Sequence, residues 1–426
     1  MIAIIGAGLT GLSLAYHLKK KSYEVFEKAD APGGLCRSVT VDGFTFDYTG
    51  HLLHMRSPLT KRLAERLMPG MLQKIARRAA IYCYGRYIPY PFQANLYGLP
   101  REVVFECLKG IMQVGQATGR HPGARNFKSW VVETFGPGMA KHFFLPYNEK
   151  LWQLDLRRLT SEWAQWSIPR PNVEEVLRGA LGIANDAMGY NAHFYYPRKG
   201  GITCVPDALA RRLHSVRLNC RLTAINVARK KITLSDGSSR NYDRLVSTVP
   251  LPQLLRMIED LPQCYRVCAR YFSSVSVLNI NLGINRKKIS DYHWMYFPGA
   301  EFPFYRVGVY SNISPALAPR NTSSLYVEIA AKKPGALDES AAVDASLEGL
   351  RRCGILKKND RVCVTKLLPI EHAYVHFTPY REQKLPQVME WLQQHGIMSI
   401  GRYGAWDYLA MEDSLLQGRE SAKLLQ

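Results

Sequence analysis

The N-terminal segment constrains the fold more than any other part of the chain. An apolar run, Ile2-Ala3-Ile4-Ile5, leads into Gly6-Ala7-Gly8-Leu9-Thr10-Gly11. An amphipathic stretch from Leu12 to Lys20 follows, and then Tyr23-Glu24-Val25-Phe26-Glu27. Strand, GxGxxG, helix, strand and terminal acid in this order set a pyrophosphate against a helix N-terminus, where unpaired N–H groups and the helix dipole favour an anion. Gly6 permits the tight turn, Gly8 lets the backbone approach phosphate, and Gly11 lets helix and strand pack closely. Glu27 stands where an acid accepts hydrogen bonds from ribose hydroxyls. These residues predict a Rossmann-like α/β domain.

Five residues separate Glu27 from Gly33-Gly34, and Arg37 follows. An acid, a double glycine and a basic residue at this spacing resemble the extended fingerprint of flavoproteins of the glutathione-reductase-like, amine-oxidase-related class. In that class the second glycine pair approaches FAD. At the other end, Ile397 to Ile400 reads as a short strand running into Gly401-Arg402-Tyr403-Gly404-Ala405-Trp406-Asp407-Tyr408, with a helical stretch from Asp413 to Leu425. The class brings its last strand and helix back to cover the flavin. The resemblance therefore implies FAD held by both ends of the chain.

The chain has 426 residues, enough for two or three domains with a sizeable core, and 47% apolar with 21% charged residues is ordinary globular composition. Its formal net charge of +21 predicts attraction to something anionic. The basic residues come as scattered doublets and triplets such as Arg77-Arg78 and Arg286-Lys287-Lys288, without a zinc-finger, homeodomain or RNP pattern, which argues against nucleic acid. The nine cysteines form no CxxC pair, and Cys264 and Cys268 have no partners to complete a metal set, so no metal site is expected. Scattered thiols read as a reduced, cytoplasmic chain. The apolar N-terminus is not a signal peptide in this reading, because its basic cluster follows the apolar run and glycines interrupt it. No stretch is apolar for long enough to span a membrane.

Helical spacing recurs at 58–68, 100–115, 126–145 and 172–184, and β-rich runs at 274–283, 305–313, 324–330 and 361–368. Short alternating segments surround the turn Asp236-Gly237, and Leu245 to Thr248 reads as a buried strand. The expected architecture is a discontinuous FAD-binding, glutathione-reductase-like domain (1–70, 195–265 and 385–426). It carries a helical-bundle insert (96–194) and an antiparallel β-sheet substrate domain (71–95 and 266–384).

Several short motifs carry a narrower resemblance. PYPFQ at 89–93, YNEKLW at 147–152, PFYRVGVYSNISP at 303–315 and GRYGAWDY at 401–408 occur in the order found in UDP-galactopyranose mutases, particularly the eukaryotic type, as do His51 and Asn191 before Tyr195-Tyr196-Pro197. The resemblance runs over essentially the whole chain. It implies redox-neutral interconversion of a nucleoside-diphospho-sugar between pyranose and furanose forms, UDP-galactopyranose and UDP-galactofuranose first, in the synthesis of cell-surface glycans. FAD is then active when reduced, with NADPH or NADH as reductant, and flavin N5 attacks the anomeric carbon while the diphosphate leaves.

The same resemblance assigns residues. Arg306 would bind the diphosphate, its planar fork being matched to phosphate oxygens. Tyr296, Tyr374 and Tyr408 would donate hydroxyl hydrogen bonds to it. Any one of these tyrosines alone reads as core packing; three beside an arginine do not. Tyr90, Phe92 and Gln93 would receive the uridine, by stacking and by an amide matched to the imide edge. Asn148 and Trp152, four apart and so on one helix face, would line the nucleoside and sugar pocket, although Trp152 reads equally well as core. Asn191 would meet a sugar hydroxyl or phosphate. His51 is placed near flavin N5, with a buried structural histidine as the rival reading. Arg402 is placed beside the flavin, where a cation favours the anionic reduced form, and Arg77 is a second flavin-side arginine.

Two positions depart from the family pattern. Thr49 stands where the family has the first of two glycines before its histidine, which restricts φ there. Ser167 aligns with the family's second phosphate-binding arginine. Either Arg170 substitutes from a shifted loop, or the diphosphate has one arginine fewer. Two other readings share the FAD fingerprint: an oxidase or desaturase of the amine-oxidase or protoporphyrinogen-oxidase type, and a non-catalytic FAD-stabilised scaffold. Peripheral contact with an acidic membrane is a further expectation from the charge.

Overall fold

The computed structural model describes residues 1–18, 21–116, 125–183 and 192–426. Asn191 lies outside the described residues, as do Lys19 and Lys20.

β1 (Ile2–Ile5) is the middle strand of a five-stranded parallel sheet. Across it the order is Ile397–Ser399, Arg244–Ser247, β1, β2 (Tyr23–Phe26) and Val216–Arg217, with every pair parallel. All four residues of β1 are buried, as expected for a parallel strand covered on both faces. The first helix, α1 (Leu9–His17), packs against the last, Met411–Leu424. The contact is close because Gly418 has no Cβ: one built there would lie 2.4 Å from the Thr10 carbonyl oxygen. The chain's two ends are thereby joined at one nucleotide cradle.

A seven-stranded sheet forms the second layer. Its order is Val362–Val375, Ser274–Ile284, Ser323–Ala331, Arg306–Val309, Trp294–Tyr296, Ala79–Cys83 and Arg86–Pro89. It is antiparallel apart from the pairing of Trp294–Tyr296 with Ala79–Cys83, which is parallel. The expected strand at 305–313 is shorter: it ends at Val309, and Tyr310–Ile313 turns into a helical element.

The expected helix at 126–145 is broken. Phe127–Met139 carries Gly136 at φ +77° before Pro137, then a π-turn (Ala140–Phe144) leads into Leu145–Trp152. The Gly-Pro pair is the local cause, since proline excludes the helical conformation for the residue before it. Phe135, Phe144 and Trp152 of the 96–194 segment pack with Phe92 against Val275, Val277 and Ile370 of the large sheet in one core. Each fully buried aromatic contributes about 2–3 kcal/mol of transfer free energy, so the insert is fixed to the sheet that carries Arg306. Among the described residues no helix is long and apolar enough to cross a membrane.

Candidate active site

The dinucleotide end is built by contacts that leave no room for side chains. Gly6 has φ +101°, and a Cβ there would meet Thr248 Oγ1 at 2.1 Å. A Cβ on Gly11 would lie 2.0 Å from the Gly6 carbonyl oxygen. Gly8 differs, since a Cβ there would meet nothing within 4 Å. It is also the N-cap of α1 and supplies no capping side chain, so open space lies beside a helix terminus with uncapped N–H groups. Gly33 lies against this turn, its N–H donating to the Ala7 carbonyl at 2.8 Å, and a Cβ on Gly34 would sit 3.5 Å from Gly8 Cα. The buried Glu27 carboxylate accepts from the Ala7 N–H at 2.7 Å and the Ala29 N–H at 2.9 Å. It therefore fixes the glycine turn from the end of β2. Arg37 donates to the Gly34 carbonyl at 3.1 Å and lies over the Tyr48 ring.

The C-terminal loop brings Arg402 to this region. Gly401, at φ +81°, donates its N–H to Gln417 Oε1 at 2.6 Å. The Arg402 guanidinium donates to the carbonyls of Leu409 (2.9 Å) and Ala373 (3.1 Å) and lies 4.3 Å from the Tyr408 ring centroid. Among the described residues no carboxylate pairs with it. Burial works against its charge, and the phenols of Tyr403, Tyr408 and Tyr374 more than offset that, so its pKa is raised. A half-buried cation without a carboxylate partner among the described residues, an uncapped helix terminus, and an acid at the end of β2 together fit a flavin dinucleotide. Arg381 fixes this loop from behind: its Nε and Nη2 both donate to the carbonyl of Trp406, a fully buried residue at φ +52°.

The segment before His51 is strained and clamped. Thr49 adopts φ +68°, a region costly for a β-branched residue. The Tyr310 hydroxyl donates to the Asp47 carbonyl at 2.7 Å, and a Cβ on Gly50 would strike Tyr326 Oη at 2.4 Å. His51 is half-buried, with no hydrogen-bond partner at Nδ1. Burial, then the positive charge of Arg402, hold its pKa down at about 4, and Arg306 acts in the same direction. His51 lies within electrostatic reach of both arginines.

Arg306 sits in a row that crosses the large sheet. In register, Tyr296 pairs with Arg306, Arg306 with Glu328, and Glu328 with Asn279. Arg306 Nε and Nη2 donate to Glu328 Oε1 at 3.0 and 2.6 Å, and the Tyr305 hydroxyl donates to the other carboxylate oxygen. Glu328 has no exposed surface, whereas Arg306 keeps 20% of its side chain open. Burial would lower the Arg306 pKa; Glu328, with the phenols of Tyr374, Tyr326 and Tyr305, raises it well above the ordinary value. Arg306 Nη2 also lies 3.5 Å from Tyr374 Oη. Burial pushes the Tyr374 phenol up to about 12, against the opposing effect of Arg306.

Tyrosines enclose this arginine. Tyr296 stacks obliquely on Tyr90 (5.2 Å between centroids) and meets Tyr147 edge-on (5.6 Å). Arg77 lies over Tyr90 at 4.7 Å. Tyr147 belongs to the YNEKLW motif but was not among the expected site residues. Asn148 and Trp152 do share a helix face, as their spacing predicts, and the Trp152 indole N–H donates to Asn148 Oδ1 at 3.1 Å. That face is turned into the core, where both are buried, while Tyr147 points at Tyr296. Phe92 is likewise fully buried, stacked on Phe143 at 4.9 Å, and buried Gln93 donates to the Pro169 carbonyl at 2.6 Å. A base could reach Phe92 only if that packing opened. Arg170 is exposed, its guanidinium donating to the Gln165 carbonyl at 3.1 Å. The structure thus gathers His51, Tyr90, Tyr296, Arg306, Tyr374, Arg402 and Tyr408. It sets Phe92, Gln93, Asn148 and Trp152 behind them and leaves Arg170 on the outside.

Comparison with known proteins gives the family and the fold. The flavin containing amine oxidoreductase family model matches residues 9–426. A solved reduced UDP-galactopyranose mutase superposes with a TM-score of 0.94 at 30% identity, covering 100% of this chain and 95% of that one. A putative protoporphyrinogen oxidase from Exiguobacterium sp. 255-15 shares the fold at a TM-score of 0.78 and 16% identity, covering 100% of this chain and 98% of its own. Coproporphyrinogen III oxidase of Staphylococcus aureus (strain NCTC 8325 / PS 47) is 30% identical over 328 residues, 68% of this chain and 69% of that protein. The chain therefore belongs to the flavin-containing amine oxidoreductase family and is UDP-galactopyranose mutase-like over its whole length.

Proposed function

We propose that this flavin enzyme interconverts the pyranose and furanose forms of a nucleoside-diphospho-sugar, with UDP-galactose as the first candidate. The observation that carries the reading is Arg306, open on one side and ringed by phenols, in electrostatic reach of the same histidine as Arg402. A leaving diphosphate develops negative charge, and preorganised donors aimed at that charge are the main source of rate enhancement for such a step.

The donors are oriented from behind. Of Arg306's N–H groups, Nε and Nη2 face Glu328 and Tyr374, while Nη1 has no partner among the described residues. Nη1 is thus the edge offered to phosphate. The Tyr374 hydroxyl accepts from Arg306, and the Tyr296 hydroxyl accepts from the Trp294 indole N–H at 2.9 Å. Each phenol keeps its own proton for the substrate. With its pKa near 12, Tyr374 remains a neutral donor throughout the physiological range. Glu328 neutralises Arg306, so a diphosphate is held by geometry without being bound too tightly to leave.

FAD would be held by Gly6, Gly8, Gly11, Glu27, Gly33, Gly34 and Arg37, with Arg402 beside it. When bound and reduced it supplies the electron pair that attacks the anomeric carbon. Arg402, lacking a carboxylate partner, stabilises negative charge on that side, and His51, neutral above about pH 4, adds none of its own. A nicotinamide nucleotide is the reductant this reading requires. Expected substrate contacts from Tyr90, Tyr408 and Asn191 belong to the same proposal; Arg170, exposed and turned to the Gln165 carbonyl, does not.

The second reading is an oxidase acting on a porphyrinogen, favoured by the Staphylococcus aureus relative at 30% identity. Anaerobic incubation of reduced protein with UDP-galactofuranose separates the two. Conversion without net flavin oxidation supports the mutase, and oxygen-coupled turnover of a porphyrinogen without sugar conversion supports the oxidase.

A further inference from the structure

We propose that Tyr326 is a positioning residue of this site: its ring tip, held between Gly308 and Gly50, sets where the backbone carrying His51 stands relative to the strand carrying Arg306. This role rests on the mutase reading, in which Arg306 and His51 serve one reaction.

Sheet register brings the three residues together. Tyr326 stands opposite Gly308 as Glu328 stands opposite Arg306. Residues two apart share a face of a strand, so Tyr326 lies on the Glu328 side and Gly308 on the Arg306 side. A Cβ on Gly308 would lie 2.1 Å from Tyr326 Cε1 and Cζ and 2.4 Å from its Oη. A Cβ on Gly50 would meet the same Oη at 2.4 Å and Cζ at 3.2 Å. Neither glycine has a positive φ, so neither backbone conformation itself calls for glycine. In both places it is the Tyr326 ring that excludes a side chain.

The ring is less free to yield than the segment it touches. Tyr326 is 2% exposed, and the Tyr310 ring lies 4.8 Å from it between centroids. Tyr310 is itself tied to the Asp47 carbonyl at 2.7 Å and to Asn281 Oδ1 at 3.2 Å. The Tyr326 hydroxyl has no hydrogen-bond partner among the described residues, so it acts on Gly50 by contact. Burial raises its pKa against the opposing charge of Arg306, which keeps the phenol neutral. A side chain at Gly50 would therefore displace the backbone from Thr49 to His51. Arg306 would stay in place, because Glu328 holds it through Nε and Nη2. Chemistry would suffer while the hold on diphosphate persisted.

The test compares Gly50→Ala, Tyr326→Phe, Tyr326→Leu and the double variant Gly50→Ala/Tyr326→Phe, each as the full-length, FAD-loaded protein. Turnover of UDP-galactofuranose, calorimetric affinity for UDP and the flavin midpoint potential are measured for each. Gly50→Ala should lower kcat about 10- to 100-fold with UDP affinity unchanged and the potential displaced, since a shift on the order of 1 Å is enough for such a loss. The double variant lacks the clashing oxygen, so it should recover most of the lost kcat and return the potential toward the Tyr326→Phe value. Tyr326→Leu leaves Gly50 unsupported without adding a clash. It should lower kcat about 10-fold, and it keeps the role testable if Gly50→Ala does not fold. Wild-type kcat and potential in Gly50→Ala or in Tyr326→Leu overturn the proposal, as does a double variant that is not rescued. An equal loss of UDP affinity also overturns it, because the Arg306 strand would then have moved as well. Should the wild-type protein convert no nucleotide sugar, the mutase reading falls, and the flavin potentials of the same variants still decide the role of Tyr326.

Discussion

Arg306 and Glu328 face each other across neighbouring antiparallel strands, with Nη2 2.6 Å from a carboxylate that has no exposed surface. The pair explains how a buried sheet presents a cation. Glu328 balances the guanidinium and restricts its rotation, and Nη1 has no hydrogen-bond partner among the described residues.

Removing one partner alone leaves a buried charge uncompensated, at a cost of about 3–5 kcal/mol. Arg306→Ala is therefore expected to abolish nucleotide-sugar binding and also to lower the melting temperature. Arg306→Met combined with Glu328→Gln should restore most of the stability without restoring binding. Calorimetric titration with UDP alongside thermal melts checks both halves.

The phenols of Tyr296 and Tyr374 are expected to act as donors. Hydrogen bonds to charged groups are worth about 1.5–3 kcal/mol, so Tyr296→Phe and Tyr374→Phe should each reduce kcat/KM about 10- to 100-fold. Flavin content and the flavin spectrum should not change. An unchanged kcat/KM in both variants would remove these residues from the diphosphate site.

His51 and His293 are both held near pKa 4, below the ordinary 6.5, chiefly by burial. His293 fits a neutral ring, its Nδ1 accepting the Arg78 N–H at 3.0 Å. A histidine with a lowered folded pKa binds fewer protons in the native than in the unfolded state between these two values. Its contribution is fully present above about pH 6.5 and is lost as pH falls toward 4. Urea denaturation should show stability declining over that window, with a shallower decline in His51→Asn.

Thr49 at φ +68° departs from the glycine that the local backbone favours. Thr49→Gly should leave stability unchanged or raise it by up to about 1 kcal/mol, because relief of left-handed strain offsets the greater chain entropy of glycine. At an extended position the same change would destabilise. Thermal melts of Thr49→Gly against Thr40→Gly, in the strand Ser38–Val41, provide the comparison.

The nucleotide cradle was legible in the sequence because its geometry is local: a short segment fixes a turn, a helix start and the strand carrying Glu27. The Arg306 site was legible only through motif resemblance, and its partner Glu328 was missed. Pairing between strands is set by tertiary register, but a signal existed. A lone carboxylate within SSLYVEIAA, a strand buried throughout, must be paired. Spacing correctly put Asn148 and Trp152 on one face and could not tell which way that face turned. The same limit applies to Phe92 and Gln93, whose motif lies at the site's edge while their side chains enter the core.

The central claim is tested most directly by incubating the dithionite-reduced, FAD-loaded protein with UDP-galactofuranose under anaerobic conditions and resolving the nucleotide sugars by chromatography. The account predicts UDP-galactopyranose with the flavin still reduced, and no conversion by the oxidised protein. Absence of conversion by the reduced protein, together with oxygen-consuming turnover of coproporphyrinogen or an amine, would contradict it.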